Sequence, residues 1–339
     1  AQGSPAGLVH AIERHNLDHL PGATRVYAGR EELAGGLREL LAGIKRLAME
    51  YSPGNAIPYV SRVDAGTIEA VREAGVEVVS SGDLVQRFEA VWSDAALTTH
   101  QRASDSLYRI KDRAFEFVHE RLARTEAMTE FDVQSAMIGW FEEEGLVSDH
   151  TPCVAAQENA GDPHYHPSRD VNRAIRPGEI LLLDLWGKLP AQGAVFADIT
   201  WVGYTGRDVP AAYARAFAAA RDGRDAAIAL VQSAVAAGRE VRGFEVDRAC
   251  RAVVERAGFG PQFIHRTGHS LGETVHGNGA HLDDYETHDD RRLLPGSGFT
   301  VEPGIYTPQF GVRTEINMFV SEREARVTGP AQQEIVALG

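Results

Sequence analysis

Cysteine is nearly absent from these 339 residues: there are two, Cys153 and Cys250, set far apart. Two lone cysteines in a chain of this length exclude a disulfide framework and a cysteine-based zinc finger. They suit a reducing compartment, so a cytoplasmic location is expected. Both read as small buried hydrophobes. Long apolar runs are missing too; none approaches the ~20 residues needed to cross a bilayer, so no membrane span is expected. Positive charge is also scarce. Against 48 acidic residues stand 34 Lys and Arg, a formal charge of −14. General nucleic-acid binding draws on clustered Lys and Arg to displace counterions, so that class of partner is argued against. No secretory signal is visible. The sequence opens at AQGSPAGLVHAIE with no initiator methionine. That opening reads as one strand of a hairpin already under way, with the natural N-terminus missing and the first domain truncated.

What remains is an ordinary globular composition, 43% apolar and 24% charged,. At roughly 150 residues per domain the length suggests two domains. Residues 1–92 read as a small α/β unit. Its strands are AGLVHAIE, RLAMEYSP and VEVVSS, and its helices GREELAGGLRELLAG and SRVDAGTIEAVREAG. Strands alternating with helices at this spacing favour an open mixed or parallel sheet. No chemically useful cluster appears there. The texture changes at Trp92, and residues 93–339 form the second expected domain. TTHQRASDSLYRIKDRAFEFVHERLAR is a long helix. Thr129, with Asp132 three residues on, is a capping signal for the next helix, FDVQSAMIGWFEEEG,. Strands EILLLDLWG and AVFADITWVGY follow, then helices VPAAYARAFAAARDGRDAAIALVQSAVAAG and FEVDRACRAVVERAG, then strands GFTVEPGIY and GVRTEINMFV. No sequence repeat is apparent.

Four of the chain's 13 histidines fall within FIHRTGHSLGETVHGNGAH, residues 263–281. Acids stand in unusual company around them. Asp184 ends the apolar run EILLLD, which reads as a strand buried on both faces. Asp198 lies inside AVFADITWV, Glu302 precedes the turn signal Pro303-Gly304, and Glu315 shares a strand face with Arg313 by period-two alternation,. An ionised carboxylate buried without a partner costs several kcal/mol or more, so such groups pair, protonate or bind a cation. Arg313 alone is an obvious local partner for four acids; two divalent cations would balance them. Four carboxylates and one imidazole make a moderately hard site, suited to Mn, Co or Zn.

In this order the residues resemble the pita-bread metallopeptidases: methionine aminopeptidase, Xaa-Pro aminopeptidase and prolidase, with creatinase as a metal-free relative. The resemblance rests on Asp184 in LLLDLWG, Asp198 in FADIT, His269 in TGHSLG, Glu302 in VEPG and Glu315 in GVRTE, and covers roughly residues 93–339. It implies an α+β catalytic domain behind a smaller creatinase-like N-terminal α/β domain. It also implies two divalent metal ions, manganese foremost with cobalt or zinc as alternatives, held by Asp184, Asp198, His269, Glu302 and Glu315. Asp198 and Glu315 would bridge the ions, with Asp184 on one and His269 and Glu302 on the other. Glu302 would also shuttle a proton to the leaving nitrogen. Arg313 and Thr200 would orient the carboxylates.

His265 and His276 match the substrate-contacting histidines of the Xaa-Pro-cleaving branch. DPHYHP resembles the segment supplying another; His164 is chosen because the family histidine precedes an aromatic or small residue, whereas spacing alone points to His166. His281 and His288 have no counterpart and are expected in a solvated loop. Three departures from the family pattern stand out: a longer hairpin between the two aspartates, Trp201 in place of an arginine, and Gly277 where a carboxylate is usual. The implied activity is hydrolysis of Xaa-Pro bonds, foremost by a homodimeric prolidase-type dipeptidase acting on small peptides. Xaa-Pro aminopeptidase action on longer peptides, or a lyase-type metal enzyme on the same fold, are the alternatives. A dipeptidase needs a cation for the proline carboxylate, and Arg291, Arg292 and the His265-Arg266 pair are the candidates.

Overall fold

The computed structural model describes residues 4–339 and divides into two compact units, one ending at Gly82 and the other running Asp83–Gly339. In the first, β1 (Ala6–His10) pairs in parallel with β2 (Ala23–Tyr27). After α1 (Arg30–Leu40) comes β3 (Arg46–Met49), and α2 (Ala65–Glu73) leads into β4 (Glu77–Ser80), which pairs with β3, again in parallel. The parallel order is as expected, but it is realised as two separate two-stranded sheets. A small core of Leu41, Ile68, Val71, Val76 and Val78 closes the unit.

Two sequence expectations are corrected here. The opening segment, whose Ala1–Gly3 lies outside the described residues, is not one arm of a hairpin, because its partner runs parallel. Its strand also stops at His10, whose ring accepts the Ile12 N–H at 3.3 Å and turns Ala11–Glu13 into a short 3-10 helix. Strand β2, ATRVY, went unread because it is almost wholly exposed and shows no apolar alternation.

The division between the units falls ten residues before the expected boundary after residue 92, at the start of α3 (Gly82–Glu89). Asp83 accepts Arg292 Nε at 3.1 Å, and Gln86 donates to the Arg292 carbonyl at 3.1 Å, which fastens this helix to the second unit.

The second unit repeats one plan twice. First, α4 (Asp94–Ala123) and α5 (Glu130–Glu143) precede β5 (Cys153–Ala156), β6 (Ile180–Gly187) and β7 (Ala197–Tyr204). Helix α5 opens with the expected reciprocal cap: Thr129 Oγ1 accepts the Asp132 N–H at 3.1 Å, and the Asp132 carboxylate accepts the Thr129 N–H at 2.8 Å,. Then α6 (Ala211–Ala236) and α7 (Gly243–Arg256) precede β8 (Ser270–Leu271), β9 (Gly298–Val301), β10 (Gly304–Tyr306), β11 (Gly311–Arg313), β12 (Ile316–Val320) and β13 (Ala325–Val327). With β14 (Val336–Ala337), the strands form two four-stranded sheets, β14-β7-β6-β5 and β13-β12-β9-β8, beside a β10–β11 hairpin.

Period-two alternation decides which residues face where. In β6, Leu181, Leu183 and Leu185 join Ala197 and Ile199 of β7 in a core under α4 and α5. Each fully buried leucine contributes roughly 1.5–3 kcal/mol. The intervening Ile180 and Leu182 face the other way, into a core shared with β9, β12, α6 and α7. Asp184 continues that second face.

GFTVEPGIY and GVRTEINMFV each read as one strand, yet each is broken in the middle. The register runs straight through: Val301 pairs with Ile316 and Gly304 with Arg313, which sets Glu302 opposite Glu315. Thr314 donates to the Pro303 carbonyl at 3.3 Å, so Glu302 and Glu315 form a non-hydrogen-bonded pair whose N–H groups point outward,. Glu302 donates its N–H to the Thr267 carbonyl at 2.7 Å and Glu315 donates to the Thr200 carbonyl at 3.2 Å. Pro303, which has no N–H, helps to end β9.

Candidate metal centre

On the β6–β7 pair, Asp184 stands opposite Thr200 and Trp186 opposite Asp198, so the two aspartates lie diagonally on one face. The longer connection between them leaves this register intact. Its tip is docked, not free: Phe196 donates its N–H to the Gly272 carbonyl at 3.0 Å, and Lys188 reaches the Glu273 carbonyl at 2.6 Å. From the second sheet come His269, just ahead of β8, and the opposed pair Glu302 and Glu315. All five line one cavity of about 430 Å³.

One ligand atom each from Asp198, His269 and Glu315 lies within 4.8 Å of the other two. His269 Nε2 is 3.5 Å from Asp198 Oδ2 and 3.6 Å from Glu302 Oε1. Its Nδ1 faces the Ser270 carbonyl at 3.2 Å, and a carbonyl can only accept, so the proton sits there and the Nε2 lone pair points at the acids,. Asp184 is engaged differently, by the Arg313 guanidinium. Arg313 is buried and donates from Nε to Thr200 Oγ1 at 2.9 Å; Thr200 donates in turn to Glu315 Oε2 at 2.7 Å.

The electrostatics are those of a site short of positive charge. Burial, then the charges of Asp184 and Glu302, push the Asp198 carboxyl well up. Burial, then Asp198, Glu302 and Asp184, do the same to Glu315. Burial alone would lower the Arg313 pKa, but the surrounding acids hold it well above its ordinary value. Asp198 Oδ1 and Glu315 Oε1 are buried without a hydrogen-bond partner among the described residues. Two orphaned carboxylate oxygens and a free imidazole nitrogen facing one another fit a divalent cation, which would satisfy all three.

The remaining expected site residues divide. His276 lines the cavity, its ring 4.4 Å from that of His269, and burial followed by the His269 charge pushes its pKa down to about 3. It is therefore a neutral imidazole. His265 lines the cavity too, but both nitrogens are taken: Nδ1 donates to the Arg266 carbonyl at 2.7 Å and Nε2 accepts from Tyr306 Oη at 2.9 Å. Arg313 donates to the same hydroxyl at 3.1 Å. His265 thus braces Arg313 through Tyr306 and has no nitrogen left to touch substrate in this arrangement. His164 and His166 both line the cavity. Tyr165 between them turns away to donate to Glu130 at 2.6 Å.

Several expectations are corrected. His281 is not in a solvated loop; it is buried, and its Nδ1 accepts the Ser270 N–H at 2.9 Å. His288 is exposed as expected but paired with Asp284. Arg291 is buried in a fork onto Asp289, at 2.9 and 2.6 Å, and Arg292 is held by Asp83 and Glu240. Neither arginine lines the cavity, so neither can receive a proline carboxylate there; Arg266 does line it. At Gly277 a Cβ would come within 2.8 Å of the Leu271 carbonyl carbon, so the residue that usually carries a carboxylate here has no room. Trp201 takes the opposite strand face from Asp198 and Thr200, with Lys111 Nζ 3.9 Å over its ring,.

Sequence reasoning missed Tyr306, Glu130, Asp149 and Trp186. Glu130 is fully buried and accepts from the Ala156 N–H at 2.7 Å, Asn159 Nδ2 at 3.0 Å, Tyr165 and the Arg173 N–H at 2.9 Å. It anchors the whole loop that carries His164 and His166. The one available signal was an acid in the first turn of a capped helix, which reads as dipole complementarity.

Comparison with known proteins identifies the family and the fold. The model of metallopeptidase family M24 matches residues 102–322, more than half of the chain. A Mycobacterium tuberculosis protein named "Probable dipeptidase PepE" is 28% identical over 267 residues, covering 78% of this chain and 65% of its own length. The Xaa-Pro dipeptidase of Lactobacillus helveticus is 32% identical over 163 residues, 48% of this chain and 40% of its own length. The chain therefore spans less than two thirds of these curated relatives. In fold it is similar to the crystal structure of dipeptidase PepE from Mycobacterium ulcerans, with a TM-score of 0.66 and 23% identity, covering 100% of this chain and 85% of that one. The fold is the expected pita-bread architecture, and the chain belongs to metallopeptidase family M24.

Proposed function

We propose that this chain is a hydrolase dependent on two divalent ions that cleaves Xaa-Pro bonds, foremost as a dipeptidase. The observation that carries the reading is the convergence of Asp184, Asp198, Glu302 and Glu315 on His269, with Asp198 and Glu315 each leaving a buried oxygen unpartnered. Asp198 and Glu315 would hold both ions, Asp184 one, and His269 and Glu302 the other, with manganese preferred over cobalt or zinc. When bound, such a pair activates water near neutral pH and polarises the scissile carbonyl.

The chain's own groups do the rest. Glu302, opposite Glu315 and beside His269, would take the water proton and hand it to the leaving proline nitrogen,. Neutral His276 has an N–H to donate to the oxygen on which charge develops, and His164 is the second candidate donor. Arg313, Thr200, Tyr306 and His265 form one hydrogen-bonded chain that fixes Asp184 and Glu315,.

The dipeptide preference is supported by Arg266 as the lining cation not already committed to the carboxylates, and by the printed name of the Lactobacillus helveticus relative. Longer peptides are the second reading, because Glu286 lies 3.9 Å from Arg266 and competes for it. Residues 1–92 are read as the counterpart of the family's N-terminal domain. A cytoplasmic homodimer completes the proposal; the two buried free thiols suit that compartment. Among the described residues no helix is long and apolar enough to cross a membrane.

The test is hydrolysis of Xaa-Pro, Xaa-Pro-Xaa and proline-free dipeptides at equal concentration with added Mn, Co or Zn. Metal-dependent cleavage of Xaa-Pro ahead of the tripeptide is expected. Faster tripeptide cleavage selects the aminopeptidase, and no cleavage of either rejects the reading.

A further inference from the structure

Asp149 and Trp186 line the cavity and have no part in the mechanism above. Trp186 leaves β6 on the same face as Asp184 and directly opposite Asp198, so its indole belongs to the wall of the metal centre. Its Nε1–H donates to Asp149 Oδ1 at 2.7 Å. The His166 ring meets the indole edge-on with centroids 6.0 Å apart, and the His150 ring lies at 6.2 Å. His150 Nδ1 lies 3.5 Å from the same Oδ1. The other oxygen, Oδ2, takes no hydrogen bond from the described residues, and no Lys or Arg among them lies within ion-pair distance of it. Burial raises the Asp149 pKa, but the Trp186 hydrogen bond and His150 outweigh it, so the group is a carboxylate at neutral pH. A carboxylate fixed at the N–H edge of an indole can receive a cation, with the adjoining ring face adding the attraction of its quadrupole,. It repels the carboxyl end of a peptide.

We propose that Asp149 and Trp186 form a subsite for a cationic group on the amino side of the scissile bond. That group is either the substrate's α-ammonium or a Lys or Arg side chain of its first residue. Asp149 supplies the charge, and Trp186 both orients it and offers its ring. The inference rests on the peptide-cleaving reading of the same cavity.

The experiment compares the manganese-loaded full chain with Asp149→Asn and Trp186→Phe on Ala-Pro, Lys-Pro, Arg-Pro and N-acetyl-Ala-Pro. Binding of the same peptides to the metal-stripped protein is measured by calorimetry. In Asp149→Asn we expect about a tenfold weaker KM and Kd for the cationic peptides that use the subsite, with the loss in KM and not in kcat, and no change for N-acetyl-Ala-Pro. Trp186→Phe, which keeps a ring but loses the N–H, should give a smaller shift in the same direction. An equal loss on Ala-Pro, Lys-Pro and Arg-Pro identifies the α-ammonium; a loss confined to Lys-Pro and Arg-Pro identifies the side chain. Unchanged selectivity, or an equal loss on N-acetyl-Ala-Pro, overturns the subsite. A wild type that cleaves none of these peptides yet binds the cationic ones through Asp149 overturns the hydrolase reading and leaves the subsite standing. A wild type that binds none of them overturns both.

Discussion

Replacing Asp198 with Asn should stabilise the metal-stripped protein and weaken the loaded one. Asp198 and Glu315 present oxygens no more than 4.8 Å apart. Two full charges at that distance would repel by about 3.5 kcal/mol at an effective dielectric of about 20, part of which the stripped protein sheds through the raised pKa of both carboxyls,. Asp198 also keeps Oδ1 buried without a partner, a defect that costs more for a charged group than for a neutral one,. Asparagine keeps the shape, removes the charge and retains the unmet hydrogen bond. A net gain of about 2 kcal/mol is therefore expected in the stripped protein, or about 4–8 °C in Tm for a unit of this size.

The loaded protein should behave the other way. An ion present at about 100 times its Kd adds about 2.7 kcal/mol to the wild type. The variant would lack a carboxylate proposed to serve both ions, and should gain little. The assay is a thermal melt of both proteins with chelator and with excess Mn, beside elemental analysis. The order of the two Tm values should reverse between the conditions. A variant that melts below the stripped wild type, or that keeps two tightly held ions per chain, refutes the reasoning.

His276→Ala should lower kcat by roughly 10²-fold while metal content, read by elemental analysis, stays at the wild-type value; lost metal would make His276 a ligand. Glu130→Gln removes the charge from an acceptor of backbone, amide and hydroxyl hydrogens, so stability should fall by about 1–3 kcal/mol in a denaturant melt. Its loop carries His164, so His164→Ala should cost less activity in that background than in the wild type; additive losses would leave Glu130 a structural residue only. His100 gives a pH signature. Burial, opposed by the Phe196 carbonyl it donates to, pushes its pKa down to about 4. The unfolded histidine binds its proton first as pH falls, so this stability is complete above about pH 6.5 and is lost on acidifying toward pH 4. At about 1.4 kcal/mol per pH unit the loss is about 3 kcal/mol. The stability difference between wild type and His100→Gln should shrink by that amount from pH 7 to pH 4; a constant difference would mean His100 is not buried neutral.

The parts of this fold that could be read from sequence are those where local pattern and tertiary role agree. ILLLD announces a strand covered on both faces, and an acid in it is anomalous whatever the fold. Thr129 and Asp132 announce a helix start through contacts three residues apart. By contrast, HLDDYETHDDRR looks like a solvated loop because its partners are backbone groups that no pattern displays. Asp283 accepts the N–H groups of Tyr285, Glu286 and Thr287, and Asp289 accepts that of His281. Those bonds bury the acids, and with them His281 and Arg291. Glu130 is hidden for the same reason, since its donors arrive from up to 43 residues away. The twofold plan of helix pair and strands left no sequence repeat because packing constrains only which positions are apolar.

The broken strands show why the centre could be read while its architecture could not. Alternation runs unbroken through FTVEPGIY and VRTEINMFV because the pairing register itself is unbroken. Two glutamates directly opposed on antiparallel strands repel, so the pairing is unfavourable where both side chains share one face. Thr314 donates to the Pro303 carbonyl at 3.3 Å, which makes the neighbouring pair the hydrogen-bonded one and leaves the N–H groups of Glu302 and Glu315 pointing outward,. Thr267 and Thr200 accept those two N–H groups, and each belongs to a segment that carries another candidate ligand, His269 in one case and Asp198 in the other. Those bonds hold the histidine segment and the aspartate hairpin beside the opposed glutamates but leave the repulsion between them in place. A cation placed among the four carboxylates would relieve it, because burial leaves them no water to do so.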